Sequence, residues 1–273
     1  MNKIYVRKAN GTKQLFSESK LRRSLEFTGA SDKNVEEILQ FIEQNLTDGV
    51  TTASIYKMAF QRLRKISRPL SAYYGTKRAL IALGPDGFLF EKFMSKVFQS
   101  MGYETQNNIY LEGKCITHEV DLLAENDEEI VIVECKFHNT RDRSNDIKTA
   151  LYAKARSDDI ISVMNENKQI QAWLVSNTSF SDEAIRYSTC AGLHLWGANF
   201  PPQNTLQDTI RDKGLNPITS LSSLKKAEIK MLLESEILLA KDLLSNPQLL
   251  KDIGMDEARI QKVQDEIHKT IEH

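Results

Sequence analysis

Asp121 closes the run His118-Glu119-Val120-Asp121, and a second carboxylate and a lysine follow in Glu134-Cys135-Lys136. Carboxylate oxygens are hard donors that suit Mg²⁺ or Mn²⁺. A divalent cation held by two of them neutralises charge on a phosphoryl oxygen and lowers the pKa of a bound water. A neighbouring ammonium steadies the attacking water and the developing negative charge. These three residues therefore have the chemistry for metal-assisted hydrolysis of a phosphodiester, with Asp121 and Glu134 as metal ligands and Lys136 beside the water. The plain alternative is a surface aspartate and an edge-strand Glu/Lys pair.

Strand elements must position these groups. In Ile130-Val131-Ile132-Val133-Glu134-Cys135-Lys136-Phe137, the period-two alternation puts Ile130, Ile132, Glu134 and Lys136 on one face and Val131, Val133, Cys135 and Phe137 on the other. Glu119 to Leu123 reads as the partner strand, with turn chemistry at Glu125-Asn126-Asp127. That hairpin brings Asp121 towards Glu134 and Lys136. Ahead of it, Phe90, Phe93, Met94, Val97, Phe98 and Met101 form the wide apolar face of a helix suited to packing on a sheet. Leu83-Gly84-Pro85-Asp86-Gly87 marks a boundary before that helix, with Asp86 as its expected cap. Glu91 lies in the first turn, where a carboxylate either complements the helix dipole or faces the metal site.

Gly87-Phe88-Leu89-Phe90-Glu91-Lys92-Phe93, His118-Glu119-Val120-Asp121 and Glu134-Cys135-Lys136 together resemble the PD-(D/E)xK nuclease superfamily, in particular Mrr-like restriction endonuclease domains. The resemblance spans about residues 86 to 200. Val120 stands at the proline of the motif's name, and Glu134 stands where many Mrr-like domains carry Gln. It implies a mixed sheet flanked by helices and a metal-dependent DNA endonuclease. Its site would hold Glu91, Asp121, Glu134 and Lys136, with His118 inside the motif as a further catalytic candidate.

The first 85 residues read as a separate, mainly helical unit. Ile4 to Lys8 is strand-like, Asn10-Gly11 is a hairpin signal, and Lys13 to Phe16 is the returning strand. Ser17 or Ser19 can cap the helix that follows. Further apolar periodicity runs through Val35 to Leu46, Ile55 to Ile66 and Leu70 to Leu83. Val6-x-Lys8, Gly11, Phe16, Lys20-Leu21, Gly49-Val50-Thr51-Thr52 and the final helix with Lys77-Arg78 resemble the ATP-cone, the regulatory nucleotide-binding module of ribonucleotide reductases and of a repressor of their genes. The resemblance implies ATP or dATP as a regulatory ligand. Lys8 and Lys20 would contact phosphates, the hairpin backbone around Val6 and Gly11 would hold the nucleotide together with Ser17, and Thr52 would lie near it. Ala9 and Asn10 replace the family's usual Arg-Asp, and Gln14 its usual glutamate, which leaves the choice between ATP and dATP open.

Beyond the hairpin, Asp146 to Arg156 reads as a helix with Ile147, Ala150, Leu151 and Ala155 inward and Lys148, Lys154 and Arg156 exposed, available to a DNA backbone. Gln171 to Ser176 is a buried strand, Asp182 to Cys190 a helix and Leu193 to Trp196 a short strand, completing an α/β core. Asn199-Phe200-Pro201-Pro202 closes it. From Leu221 the apolar spacing is helical. Ile253-Gly254-Met255 faintly resembles a helix-hairpin-helix, but Asp256 replaces the second glycine, so a packing or oligomerisation module is expected. The division is 1–85, 86–202 and 203–273.

The 273 residues, 27% charged and 41% hydrophobic, carry a formal net charge of −1. That balance suits a regulated or assembled DNA enzyme better than a constant tight binder. No apolar run is long enough to span a bilayer, and the charged start suggests a cytoplasmic protein without membrane attachment. Cys115, Cys135 and Cys190 are expected as reduced core thiols. The expected partners are DNA, an adenine nucleotide and further copies of the chain. Coupling to nucleotide pools would suit defence against phage. A rival reading is a non-catalytic, nucleotide-sensing DNA-binding regulator.

Overall fold

The computed structural model describes residues 4–271 apart from 9, 10, 27, 29, 86, 141, 142 and 199, and apart from the side chains of 68, 69, 72 and 73. The expected Asn10 turn residue, the Asp86 cap and Asn199 therefore lie outside the described residues. The chain forms two compact units, one including the chain up to Thr76 and the other Lys77–Ile267.

In the first unit, strands β1 (Tyr5–Arg7) and β2 (Lys13–Leu15) pair antiparallel, followed by helices α1 (Glu18–Glu26), α2 (Asp32–Gln44), α3 (Thr52–Ile66) and α4 (Arg68–Ile81), the last continuing past Thr76. Ser31 caps α2 by accepting from the Asn34 amide, and Thr51 caps α3 by accepting from Ser54. Leu25, Val35, Ile38, Ile42, Ala59 and Leu63 are its fully buried centre.

The second unit is built on a five-stranded sheet ordered β3-β4-β5-β7-β9, comprising β3 (Glu104–Glu112), β4 (Thr117–Glu125), β5 (Glu129–Lys136), β7 (Gln169–Ser176) and β9 (Leu193–Trp196). The first three pair antiparallel, and β5, β7 and β9 run parallel. The parallel crossovers carry α6 (Ile147–Ile161) and α7 (Asp182–Ala191), and a short pair, β6 (Ser144–Asn145) with β8 (Ser179–Phe180), lies beside them. It is therefore the mixed sheet with flanking helices that the α/β reading called for.

Helix α5 (Phe88–Ser100) covers one face of the sheet. Its Phe90, Phe93, Met94, Val97 and Phe98 are fully buried against Leu122, Val131, Val133 and Val175. Helices α6 and α7 cover the other face, where Ala150, Ala153 and Ala184 meet Ala172, Leu174 and Leu195. Leu206 and Ile210 of α8 (Leu206–Asp212), with Leu215 and Leu238, join the α5-side core, so that core draws on residues beyond Pro202. After a 3₁₀ turn (Ile218–Ser220) come α9 (Lys226–Glu234), α10 (Asp242–Ser245), α11 (Gln248–Asp252) and α12 (Glu257–Ile271). These elements build a separate apolar cluster around Ile218, Leu243, Leu250 and Val263.

Two expectations are corrected. Cys115 and Cys190 are exposed, and Cys135 alone of the three is buried. In α6 the inward face is Ala150, Ala153, Ser157 and Ile160, while Leu151 and Ala155 face outward. Small side chains let this helix approach the sheet closely, so its register follows them rather than the bulkier Leu151.

Candidate active site

Strands β4 and β5 pair only from Leu122↔Val133 to Glu125↔Ile130. Beyond Leu122 they part, and Asp121 stands where they separate. Its Oδ2 accepts a 2.7 Å hydrogen bond from the peptide N–H of Cys135, so a side chain takes the place of a ladder partner. The strand also switches faces here. Val120 packs with Ile132 and Ile160, whereas Leu122, two residues on, packs in the α5-side core. On the neighbouring strand Asn108 lies between the paired Asn107↔Leu122 and Ile109↔Val120, and has φ +51°, a left-handed conformation that Asn tolerates better than most residues.

Beyond the divergence, β5 stays paired with β7 as far as Lys136↔Ser176, and the Ser176 hydroxyl donates to the Lys136 carbonyl at 2.7 Å. Glu134 is thus held on a fixed strand, and Lys136 lies on the same face at its exposed end. Asn107 ties the third acid to the first: its Nδ2 donates to the carbonyls of Glu91 (3.3 Å) and Asp121 (3.2 Å), joining the start of α5 to β4. The resulting open cleft, about 380 Å³, is lined by Glu91, Glu119, Asp121, Glu134, Arg156, Asn108 and Phe88.

Burial pushes the Glu134 carboxyl up to about 7, helped by repulsion from Asp121 and opposed by Arg156 and Lys136. Asp121 is raised as well, mainly by burial, against the Cys135 N–H and Arg156 that stabilise its charged form. Arg156 on α6 is the compensating cation. Its Nη1 donates to Glu134 Oε2 at 2.7 Å and to the Glu119 carbonyl at 2.9 Å, and its Nη2 donates to the Tyr152 hydroxyl. Burial alone would lower the Arg156 pKa, but the Glu134 carboxylate and Tyr152 raise it above its ordinary value.

The donor chemistry fits a hard divalent ion. Two neighbouring carboxylates share the one guanidinium that, among the described residues, lines the cleft, and Mg²⁺ is commonly bound through one or two carboxylates while keeping several waters. Asp121 and Glu134 would hold it. Among the described residues no group of three or more His, Cys, Asp or Glu side chains is arranged to hold a metal, so water would complete the coordination.

His118 is placed elsewhere. Its Nε2 is 2.8 Å from Oδ2 of Asp159, a carboxylate that also accepts from the amides of Cys115 and Ile116 and so clamps the β3–β4 turn to α6. The His118 and Cys115 contacts hold Asp159 at about 2. Thus Glu91, Asp121 and Glu134 share the cleft, Lys136 stands at its strand end, and His118 belongs to the clamp. Arg156, expected on the exposed face of α6, is instead turned inward onto Glu134 and only 18% exposed, and Asn107 carries no expectation from the sequence. The Tyr152-x-x-x-Arg156 spacing, one helical turn, signals that these two side chains meet but not that they face the cleft.

In the first unit, β1 lies between β2 and the segment before α3. Arg7 N donates to Val50 O, Gly49 N donates to Tyr5 O, and Arg7 bridges Thr51. Val6 is buried, Gly11 (φ +84°) donates to the Lys8 carbonyl, and Ser17 Oγ accepts from Lys20 N. The hairpin backbone at Val6, Lys8 and Gly11 and the start of α3 at Thr52 are thereby brought together, with Ser17 and Lys20 at the start of α1.

Three families match: ATP cone domain over residues 4–79, Restriction endonuclease (the Mrr catalytic domain) over 85–199, and AF1548-like, C-terminal over 217–271. An uncharacterised protein of Archaeoglobus fulgidus is 32% identical over 179 residues, covering 65% of this chain and 99% of that protein. The crystal structure of protein AF1548 superposes with a TM-score of 0.55 at 30% identity, over 68% of this chain and 99% of that one. A repair endonuclease from Pyrococcus abyssi matches at 16% identity and a TM-score of 0.33, over 41% of this chain and 46% of that one. No described helix is long and apolar enough to cross a membrane. With a relative matched over nearly its whole length and the AF1548-like segment in place, the chain belongs to the AF1548-like family, carrying a restriction-endonuclease domain behind an ATP-cone.

Proposed function

We propose that the protein is a divalent-metal-dependent DNA endonuclease controlled by ATP or dATP. The observation that carries this reading is the junction of Asp121 and Glu134 where β4 and β5 part, inside the segment matched to restriction endonucleases. Bound there, Mg²⁺ or Mn²⁺ would polarise the phosphoryl oxygens and acidify a coordinated water. Asp121 and Glu134 hold the cation through carboxylate oxygens. Lys136, at the exposed end of β5, donates to the attacking oxygen and offsets the charge that builds on the phosphate. Glu91, fixed to β4 through Asn107, orients water on the α5 side of the cleft. His118 supports the cleft through its clamp on the β3–β4 turn.

At the N-terminal domain, Lys8 and Lys20 take the phosphates of the nucleotide, the backbone around Val6 and Gly11 and Ser17 cradle it, and Thr52 lies beside it. Different affinities of the two nucleotides for different assemblies of the chain would couple occupancy to cleavage, a device suited to defence against phage. The test is nicking of supercoiled plasmid, methylated and unmethylated, with Mg²⁺ or Mn²⁺ and with ATP or dATP. Absence of cleavage under every combination, with retained mobility shifts on DNA, would replace the enzyme with a DNA-binding regulator.

A further inference from the structure

The cleft is strongly acidic for a site that must admit a phosphodiester. Four of its lining side chains are carboxylates, Glu91, Glu119, Asp121 and Glu134, against the single guanidinium of Arg156. Like charges a few ångströms apart in a partly buried cleft repel a phosphate strongly. DNA therefore needs added positive charge before it can enter.

Arg156 is the cation this cleft already holds. Its side chain and that of Glu134 are only 18% and 17% exposed. Its guanidinium lies 4.7 Å from the centre of the Tyr152 ring, and three acceptors hold it: the Glu134 carboxylate, the Glu119 carbonyl and the Tyr152 hydroxyl. Only one of the three is a group that would also hold a metal. Losing Glu134 leaves the guanidinium anchored at the cleft wall through two neutral acceptors, with its remaining N–H donors free to turn. A planar guanidinium is also the side chain best matched to paired phosphate oxygens.

We propose that Arg156 is a transferable counterion: it neutralises Glu134 until a divalent cation is bound there, then turns about its Tyr152 and Glu119 anchors onto the phosphate of the strand to be cut. The proposal rests on the metal-dependent reading given above. Metal loading and DNA grip then become one coupled event, and a cleft closed to DNA without metal opens when metal arrives.

Calorimetric titration of the DNA-free full chain with Mn²⁺ tests the first half. The wild type is compared with Asp121→Asn, which marks the site, and with Arg156→Met and Arg156→Lys. Removing the competing cation is expected to tighten Asp121-dependent Mn²⁺ binding about tenfold in Arg156→Met, and Arg156→Lys falls between it and the wild type. DNA affinity measured with Mn²⁺ in a Lys136→Ala background tests the second half. Arg156→Met weakens it about tenfold and lowers the slope of log affinity against log salt by about one. Unchanged or weaker Mn²⁺ binding in a folded Arg156→Met overturns the proposal while leaving the metal site intact. If Arg156→Met does not fold, Arg156→Lys decides, and wild-type Mn²⁺ affinity in that variant overturns the proposal. Absence of Asp121-dependent Mn²⁺ uptake in the wild type removes the metal reading itself, and the counterion role falls with it.

Discussion

Asp121 accepts its 2.7 Å hydrogen bond from Cys135, the residue between Glu134 and Lys136. This contact locks the two halves of the site to each other, because it sets the aspartate against the backbone that carries the other acid and the lysine. The ladder between β4 and β5 has already ended there, so the side chain substitutes for a main-chain acceptor. The same contact determines which substitutions are informative.

Asp121→Asn keeps an oxygen to accept from Cys135 N and removes the charge. Lys136→Ala removes an exposed side chain at a strand end. Both are expected to fold with unchanged circular dichroism and to lose about 10²-fold or more of plasmid cleavage, the scale of losing a metal ligand or a transition-state donor. Rates within a factor of two of wild type, in folded protein, would reject the assignment.

Glu134 predicts a pH effect on stability. Its carboxyl is raised to about 7 in the folded protein, so between the ordinary carboxylate range and 7 the folded state binds more protons than the unfolded one. Without metal, stability therefore falls as pH rises through that window and levels off above it. Each unit of displacement is worth about 1.4 kcal/mol. In EDTA, thermal melts at pH 5, 6, 7 and 8 should show this decline. Glu134→Gln should remove its share, leaving the decline that the raised Asp121 supplies with the same sign and the opposing rise from His138, whose pKa burial lowers. A wild-type Tm that declines no more steeply with pH than that of Glu134→Gln would contradict the electrostatics.

Asn107→Ala removes the one side chain that holds both the Glu91 and Asp121 carbonyls. Freeing two part-buried carbonyls should cost about 1–2 kcal/mol in denaturant unfolding. Because the acids stay in place chemically but lose their mutual alignment, kcat should drop with KM nearly unchanged. Asn107→Asp, which keeps shape but cannot donate, should not rescue it.

Much of this arrangement was legible in the residues. The period-two alternation of β5, apolar on both faces, puts Glu134 and Lys136 on a common face, and the apolar stripe on α5 seats that helix on the sheet. The inward turn of Arg156 was not legible, because α6 carries apolar and small residues on more than one face. Close packing chose Ala150, Ala153 and Ser157 over Leu151. The left-handed Asn108 and the parting of β4 from β5 are tertiary events with no periodic signal. The buried N–H of Cys135 required a partner, but its identity depended on that parting.

The nucleotide-binding prediction rests on a different set of residues. Lys8→Ala and Lys20→Ala should each weaken ATP and dATP binding about tenfold or more by calorimetry. Thr52→Ala should weaken it less, since that residue supplies a hydroxyl rather than a charge. Light scattering with each nucleotide should show a change of mass in the wild type that both lysine variants lose. Equal masses with and without nucleotide would remove the assembly step from the regulation.

His118 can be separated from the chemistry by attacking its clamp at two other points. Asp159→Asn weakens the acceptor that His118, Cys115 and Ile116 share. Gly113→Ala puts a Cβ 2.2 Å from Asp159 Oδ2 and 2.6 Å from the Ile116 carbonyl, which cannot be accommodated without displacing the turn. A Tm lower by several degrees is expected for His118→Ala, Asp159→Asn and Gly113→Ala alike, with cleavage at 25 °C close to wild type in all three. If His118→Ala alone loses about 10²-fold in rate while the other two keep theirs, the imidazole acts on the substrate or its water, as general acid–base groups do at that scale, and the clamp is secondary.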